Sequence, residues 1–395
     1  MGALFAAFAL ALTLLPGILG STEEPSADRV SLASAAGVTA QPSVAPHLAL
    51  NPAVRFRAAT SREVQAPVTI AFGGDTLMHP GVARAAKRNG DPFDFGPIFE
   101  DVRHVISNAD LAICHLEGPL DPQSTGLSGY PFFNGPRELA DGLVHAGFDG
   151  CSTASNHSID QGVQGILDTI EVLEEAGLEY AGTAKGPGDD FMPVLFEVGD
   201  LTIGHVSATY WLNGLREPSD KQWLVDIIDI GEIVEDALRA RRDGADLVVV
   251  SLHCCTEYTT MPTAWQMELS HKLIGSPVID LIVTHHSHWV GPVEEVEGEF
   301  ILHGLGNLLS GQTHTARTAD GVVALVEAEQ ANGKWRFTSV EAVPTRVERG
   351  SYRIRRTVPG DGSYERTMTA LAAMGVDVSP FSQSGLTLMQ RSLLE

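Results

Sequence analysis

Positive charge is scarce in this sequence. The 395 residues contain 26 lysines and arginines against 50 aspartates and glutamates, which gives a formal net charge of −24. Nucleic acids and anionic membrane surfaces are bound through basic patches. The composition therefore argues against both as partners, and no nucleic acid is expected. An anionic substrate would need a local cation to attract it.

Cysteine is also scarce. The four cysteines are Cys114, Cys151, Cys254 and Cys255, and no two of them have C-x-x-C spacing. Neighbouring cysteines seldom join, because the resulting ring is strained. We therefore expect four reduced thiols with structural roles. They say little about the compartment in which the protein works.

Only one stretch of the sequence is apolar over about twenty residues, and it is MGALFAAFALALTLLPGILG at the start. The stretch is short for a transmembrane helix, and Pro16-Gly17 interrupts it. No lysine or arginine precedes it and no clear A-x-A motif follows, so a plain hydrophobic tail stays open. We expect residues 1–20 to be a signal peptide or a short membrane anchor. The protein would then be exported, and either extracellular or anchored at the cell membrane.

Residues 21–66 are rich in Ala, Ser, Pro, Glu and Thr and lack periodicity, which is typical of a flexible linker. Beyond them, short apolar runs alternate with helical patterns. Such runs predict strands that are covered on both faces. The predicted strands are Val68–Phe72, Leu111–Ile113, Leu201–Val206, Leu247–Leu252, Ile279–Val283 and Phe300–Leu302.

Helical periodicity is clearest over Val163–Ala176, which Gly177 ends, and over Ile233–Arg242. The runs Val322–Glu329 and Trp335–Val343 flank a turn and predict a hairpin. The alternation indicates an α/β fold with several parallel strands. We expect one domain over residues 67–348, followed by a C-terminal extension over 349–395 that is partly disordered.

A further short strand is predicted around Gly150–Thr153. Polar residues follow five predicted strand ends, at Asp75, Glu117, Asn156, His253 and the segment His285–His288. Ligands bind beyond the carboxyl ends of strands in open α/β sheets. Imidazole, carboxylate and amide groups together suit a divalent transition metal. Each position also has a plainer explanation alone, as a helix cap, a turn residue or a core histidine, and we keep that explanation for His285. The joint pattern favours a metal site.

Six blocks of the chain then resemble, in order and spacing, the CapA-type poly-gamma-glutamate capsule synthesis proteins, which belong to the calcineurin-like metallophosphoesterase superfamily. The blocks run from about Val68 to Ser310 and read FGGDTLMHPGV, ADLAICHLEGPL, GFDGCSTASNHSIDQG, VVVSLHCCTEY, DLIVTHHSHWV and ILHGLGNLLS. The resemblance implies a four-layer α/β/β/α sandwich with a site for two divalent metal ions, which would be Mn, Fe or Zn.

The resemblance also implies a role for each matched residue. Asp75 and His288 would bind the first ion, and Glu117 would bridge the two ions. The second ion would be held by Asn156, His253 and His286. His157 matches the histidine that protonates the leaving group, and Asp160 would orient it.

Some positions depart from the family pattern. The first motif of the superfamily is Asp-x-His, but Leu77 stands in the place of the histidine, and His79 lies two residues too far along. His115 replaces the asparagine of Asn-Leu-Glu, while Cys254 and Cys255 replace Trp-Gly after His253. We therefore expect one ion to be held weakly.

The implied function is capsule (poly-gamma-glutamate) biosynthesis with a metal-dependent, phosphoesterase-like hydrolase site. Metal-activated water attacks phosphoesters and amides alike, so the chemistry predicts hydrolysis without fixing the bond. The expected substrate is an anionic polymer or a phosphoester, and membrane proteins of capsule synthesis and export are further candidate partners. The main alternative is a non-catalytic accessory protein for polymer assembly or export, with structural metals. A secreted binding module without metal is a third reading.

Two further segments bear on the substrate. The loop Asp121–Pro136 carries Tyr130, Phe132 and Phe133, and these aromatics either cover the site or only pack the loop down. Glu257-Tyr258 follows His253 and resembles a Glu-Tyr pair of the family.

Overall fold

The computed structural model describes residues 66–89, 92–188, 192–312 and 314–381. The predicted signal peptide or anchor over 1–20 lies outside these residues, as does the linker up to residue 65. Among the helices of the described residues, none has the length and apolar character needed to cross a membrane.

Two large sheets carry most of the strands, and helices follow many of them. In chain order the described strands are β1 (Val68–Leu77), β2 (Leu111–Leu116), β3 (Leu120–Asp121), β4 (Gly135–Pro136), β5 (Gly150–Ser152), β6 (Glu179–Ala181), β7 (Val194–Val198), β8 (Leu201–Thr209), β9 (Leu247–His253), β10 (Leu281–His285), β11 (Val293–Val296), β12 (Glu299–Leu302), β13 (Asn307–Ser310), β14 (Asp320–Ala331), β15 (Lys334–Val347), β16 (Ile354–Arg356) and β17 (Ser379–Pro380). The α-helices are α1 (Pro80–Asn89), α2 (Gly96–Ile106), α3 (Glu138–Ala146), α4 (Gly162–Ala176), α5 (Ile230–Arg242), α6 (Ala264–Ile274) and α7 (Gly362–Leu371), and short 3-10 turns occur at Arg317–Ala319 and Ala372–Met374.

Parallel pairing dominates the centre of each large sheet. The first sheet runs in the order β16-β15-β14-β1-β2-β5-β6, with β13 paired to β1 and β17 paired to β15. Its strands β1, β2, β5 and β6 are parallel. The second sheet runs β11-β12-β10-β9-β8-β7, and β8, β9, β10 and β12 are parallel. The carboxyl ends of the parallel strands therefore meet at one edge of each sheet.

Alternating apolar residues let each sheet pack on both faces. Ile70 of β1 and Val249 of β9 belong to one core between the two sheets. Their neighbours point outward, so that Ala71 packs with helices α1 to α4 and Val248 packs with α5 and α6. The order is helices, sheet, sheet, helices, and the predicted four-layer α/β/β/α sandwich is confirmed.

The predicted strands and helices are present, and most strands run further than the apolar pattern indicated. β1 continues to Leu77, β9 to His253 and β10 to His285. The extra residues are polar but remain in the ladders, since Asp75 pairs with His115 and His285 pairs with His253. Asp75, His253 and His285 are therefore held on strands, at the carboxyl ends that the two sheets share.

The C-terminal segment packs onto the first sheet as far as the structure describes it. β16 pairs with β15, and α7 places Leu371 in the core between the sheets. Arg366 of α7 donates two hydrogen bonds to the Asp320 carboxylate, at 2.7 and 2.9 Å. These contacts tie residues up to Phe381 to the sandwich.

The cysteines are all paired. Cys114 and Cys151 form a disulfide between β2 and β5, where they lie in register with Cα atoms 4.4 Å apart. Cys254 and Cys255 are joined to each other, so no free cysteine remains in the described chain. The prediction of four reduced thiols is wrong. Spacing along the chain does not reveal that Cys114 and Cys151 face each other across a sheet, and Cys254 and Cys255 join although neighbouring cysteines seldom do.

Gly74 lies where β1 passes closest to the chain leading into β13. A methyl group at this position would overlap the carbonyl oxygen of Gly306, which accepts a hydrogen bond from the Asp75 amide at 2.8 Å. The close approach of two backbones fixes the strand end that carries Asp75, and it requires glycine here.

We expect Gly74→Ala to lower the free energy of unfolding by about 1–3 kcal/mol, because overpacking forces the backbones apart. Urea unfolding followed by circular dichroism measures the change. Gly188→Ala is the matched control, since nothing lies within 4 Å of its added methyl group, and it should stay within about 0.5 kcal/mol of the wild type. Equal midpoints for the two variants would contradict the steric account.

Candidate metal centre

All six predicted metal ligands converge at the shared edge of the two sheets. Three come from the first sheet and its loops and three from the second, and none of the six is more than 5% exposed. They are Asp75, Glu117, Asn156, His253, His286 and His288. Residues separated by more than two hundred positions in the sequence thus meet in one buried cluster, although their assignment as ligands remains a prediction.

One half of the cluster consists of Asp75, Glu117 and His288. One ligand atom from each lies within 4.8 Å of the others. The Asp75 Oδ2 atom is 3.0 Å from His288 Nδ1, and His288 Nε2 is 3.7 Å from Glu117 Oε1. Two carboxylates and an imidazole whose ligand atoms lie within 4.8 Å of one another suit a divalent cation.

The other half consists of Glu117, His253 and His286, whose ligand atoms also lie within 4.8 Å of one another. The Asn156 Oδ1 atom joins them at 2.9 Å from His253 Nε2, a nitrogen that lies 3.8 Å from Glu117 Oε1. Glu117 therefore belongs to both halves, which is the position that a bridging carboxylate requires.

The hydrogen-bond inventory of the cluster fits bound cations. Both carboxylate oxygens of Glu117 are buried without a hydrogen-bond partner, and so is Nδ1 of His286. Buried polar atoms are almost always satisfied, because an unpaired one costs free energy. A cation beside Glu117 and His286 would supply the missing partner to all three atoms.

The pKa values of the two central carboxylates are shifted in opposite directions. Burial raises the pKa of Glu117 well above its ordinary value, although the His288 charge opposes the shift. Burial would also raise the pKa of Asp75, but hydrogen bonds with His285 and His288 hold it well below its ordinary value. Asp75 is therefore an ionised, paired carboxylate, whereas the charge of Glu117 has no adequate protein partner.

The turn after β10 aims two histidines into the cluster. His286 and His288 both have positive φ, at 82° and 53°, a conformation that side-chain-bearing residues seldom adopt. Ser287 lies between the two histidines, and its carbonyl oxygen accepts a hydrogen bond from the Tyr258 amide at 2.8 Å. Strain of this kind collects at functional sites, where surrounding contacts enforce it.

A further set of polar residues lies behind His253. Its Nδ1 atom is 2.8 Å from His115 Nε2, and His115 Nδ1 is 2.8 Å from Ser152 Oγ. Metal-binding histidines commonly use the second ring nitrogen in such a bond, which fixes the ring orientation. His115, a departure from the family pattern, thus supports a predicted ligand.

His285, which the sequence analysis kept as a core histidine, is buried beside the cluster. Its Nδ1 atom is 3.2 Å from Asp75 Oδ1, and its ring stacks on His115 at 4.0 Å between centroids. The signal lay in strand periodicity, because the last residue of β10 still points between the sheets and pairs with His253 of β9.

The predicted acid and its partner form a pair at the edge of the cluster. His157 Nδ1 is 2.7 Å from Asp160 Oδ2, which also accepts the Phe133 amide at 2.7 Å. The Phe133 ring packs edge-on against His157 at 4.7 Å. Of the loop aromatics, Phe133 is buried while Tyr130 and Phe132 are exposed, so part of the loop packs against the site and part faces solvent.

His79 does not take the place of the missing histidine of the first motif. Its Nδ1 atom accepts a hydrogen bond from the Gly311 amide at 3.2 Å, and its ring lies against Phe133. Burial lowers its pKa to about 4. The candidate metal-ligand groups within the described ranges do not include it.

Comparison with known proteins places the cluster in a family context. The family model described as "Bacterial capsule synthesis protein PGA_cap" matches residues 69–312. The "PGA biosynthesis protein CapA" of Bacillus subtilis (strain 168) is 24% identical over 290 residues, which is 72% of this chain and 75% of that protein. The "Capsule biosynthesis protein CapA" of Bacillus anthracis is 26% identical over 294 residues, or 72% of this chain and 68% of that protein. Among solved structures, a phosphatase from Mycoplasma pneumoniae has a TM-score of 0.45 at 14% identity, covering 71% of this chain and 93% of that one.

We expect Glu117→Gln to change how the stability of the metal-free protein depends on pH. A folded-state pKa raised above 4.5 means that stability falls as pH rises beyond the unfolded value, by at most about 1.4 kcal/mol per pH unit. Glutamine cannot ionise, so the stability of the variant should increase relative to that of the wild type as the pH rises above about 4.5.

Urea unfolding in the presence of a chelator at several pH values measures this gain. Glu329→Gln, which removes an exposed carboxylate from β14, is the control and should track the wild type. A stability difference between Glu117→Gln and the wild type that does not vary with pH would show that the carboxyl is not perturbed as described.

Proposed function

Because the chain belongs to the bacterial capsule synthesis protein family PGA_cap, we propose that it is a capsule biosynthesis protein with a metal-dependent hydrolase site. The observation that carries the proposal is Glu117, a fully buried carboxylate shared by two groups of metal-ligating side chains and left without a hydrogen-bond partner. A carboxylate so placed is costly in the metal-free protein and is satisfied when cations flank it.

Each of the two ligand groups would hold one metal ion. Asp75 and His288 would hold the first ion, while Asn156, His253 and His286 would hold the second, and Glu117 would bind both. Two divalent ions held by these residues would lower the pKa of a water and polarise the oxygen of a substrate. This chemistry serves phosphoesters and amides, so the site predicts hydrolysis of one of these bond types.

The protein's own groups supply the rest of the reaction. The Asp160 carboxylate accepts a hydrogen bond from the Nδ1–H group of His157, which leaves Nε2 as the atom that donates a proton to the departing group. Phe133 packs against the His157 ring and keeps water from that side. Tyr210 lies with its hydroxyl 3.1 Å from His286 Nε2 and fixes the orientation of that ring.

The substrate and location are part of the proposal. An anionic polymer such as poly-gamma-glutamate, or a phosphoester, fits a cationic centre in an otherwise acidic chain, and capsule synthesis and export proteins of the membrane are the proposed partners. Export is supported by the apolar first twenty residues and by the paired cysteines, because disulfides persist in oxidising compartments.

The hydrolase proposal is tested with the full chain stripped of metal and reloaded with Mn²⁺. We expect about two ions per chain by elemental analysis and metal-dependent hydrolysis of either bis(p-nitrophenyl) phosphate or a poly-gamma-glutamate chain. Full metal occupancy without turnover of either substrate would instead support the accessory role. A chain that binds no metal would overturn both readings.

We expect His157→Ala to reduce kcat by about 10²–10⁴-fold, because it removes the proton donor, while the metal content stays unchanged. Steady-state kinetics and elemental analysis of the same preparation measure the two quantities. His145→Ala removes a partly exposed histidine of α3 and serves as the control with full activity. Unchanged turnover in His157→Ala would refute the role of His157.

A further inference from the structure

A dense group of arginines lies where β15 ends and β16 begins. Four of them line one cleft of about 590 Å³, together with the carboxylates of Glu348 and Asp361. Four guanidinium groups against two carboxylates make this cleft positive, in a chain whose formal net charge is −24. We call it the arginine cleft. Its arginines are Arg346, Arg349, Arg355 and Arg356.

Two of these arginines are placed unfavourably for the fold alone. Arg346 and Arg355 stand directly opposite each other in the antiparallel ladder of β15 and β16. Like charges at opposed positions destabilise a pair of strands. Arg355 has an ion pair with Glu348 at 3.1 Å, but both of these side chains are more than two-fifths exposed, so the pair contributes little. An anion bound between the two guanidinium groups would remove the repulsion.

The amino end of helix α7 lies in the same cleft. Gly362 and Ser363, its first two residues, line the cleft beside the arginines. The amino end of a helix carries partial positive charge and favours anions. The preceding residue, Asp361, makes no capping hydrogen bond to this turn, and its carboxylate instead accepts the Val358 amide at 3.1 Å. Side chains and backbone therefore both contribute positive potential to the arginine cleft.

The arginine cleft and the candidate metal centre lie at the same edge of the first sheet. Strand β15 runs parallel to β1, because each is antiparallel to β14, so both strands end at this edge. Ala342 of β15 belongs to the core between the two sheets, and Arg346 lies four residues further along the strand. Alternate side chains of a strand point to one face. Arg346 therefore points to the side of the sheet on which the metal centre lies.

Two further arginines lie between the metal centre and the arginine cleft. Arg317 lies over the ring of Trp289 at 5.5 Å, and Trp289 directly follows His288 in the sequence. Arg317 and Arg366 line a second cleft, of about 310 Å³, which also includes Glu365 of α7. Because α7 contributes residues to both clefts, positive side chains continue along this helix from the metal centre to the arginine cleft.

We propose that the arginine cleft binds a stretch of an anionic polymer that carries one carboxylate on each unit, apart from the units at the metal centre. This rests on the proposed function, which supplies such a polymer as the substrate. Guanidinium groups bind carboxylates through paired hydrogen bonds. Each exposed contact is weak alone, but the contacts along one polymer chain reinforce one another, because later units bind intramolecularly. A short substrate contacts the metal centre only.

The test measures binding of labelled poly-gamma-glutamate to the full chain by fluorescence anisotropy, with a chelator present so that metal ions do not contribute. For the double variant Arg346→Gln/Arg355→Gln we expect Kd to rise by about 10-fold, because two charge contacts with the polymer are lost. The affinity that remains should depend less on salt, since salt screens exposed charges. The matched control Lys334→Gln/Arg336→Gln removes two exposed charges from the other end of β15 and should bind as the wild type does.

In the protein loaded with Mn²⁺, the double variant should retain the wild-type kcat/KM for bis(p-nitrophenyl) phosphate, because this small substrate does not reach the arginine cleft. Circular dichroism checks that the variant folds. Equal polymer affinity in the double variant and its control would overturn the proposed role of the cleft, as would a wild type that binds inorganic polyphosphate but not poly-gamma-glutamate. A wild type that binds the polymer through these arginines but hydrolyses neither test substrate would refute the hydrolase site and leave the cleft assignment intact.

Discussion

The structure depends on one unfavourable placement, the burial of the Glu117 carboxylate between two sheets without a hydrogen-bond partner. Burying an ionised group costs far more than the fold of a single domain can readily tolerate unless a counter-charge is present. The nearest cationic group of the protein is His288, at 3.7 Å, and it is already engaged with Asp75. The arrangement is explained if metal ions supply the counter-charge from outside the chain. The other residues of the cluster would then position those ions.

The sandwich makes this placement possible because its interior is apolar near the amino ends of the strands and polar near their carboxyl ends. Near their amino ends β1 and β9 bury Ile70 and Val249 in an apolar core. Toward their carboxyl ends the same strands present Asp75 and His253 into the space between the sheets. Since both sets of parallel strands end at this edge, ligands from two sheets meet without any loop having to reach far. The approach of Gly74 to Gly306 fixes β1 beside β13, and Asn307 of β13 contacts His288 at 3.1 Å.

Much of this could be predicted from the sequence, because apolar runs identify strands and the polar residues after them identify the ligand edge. The six residues that follow from strand ends and family blocks all lie in the cluster. Two features could not be predicted. His285 was left as a core histidine, because the apolar run ended two residues before it while the strand did not. The cysteine pairs depend on register across the sheet and on local loop geometry, which spacing does not encode.

The departures from the family motifs are better judged by the cluster as a whole than one at a time. Leu77 in place of histidine suggests a lost ion when the first motif is read alone. The Glu257 carboxylate of the loop after β9 nevertheless lies 3.6 Å from Nε2 of His288. The choice between catalytic and structural metals turns on a different pair. A structural metal needs only its ligands and their supporting hydrogen bonds. His157 and Asp160 ligate nothing in the proposed centre, but Asp160 is buried and orients the His157 ring beside it through a 2.7 Å contact. An oriented imidazole at the rim has a use in proton transfer and none in metal retention, and for this reason we favour hydrolysis over a purely structural role.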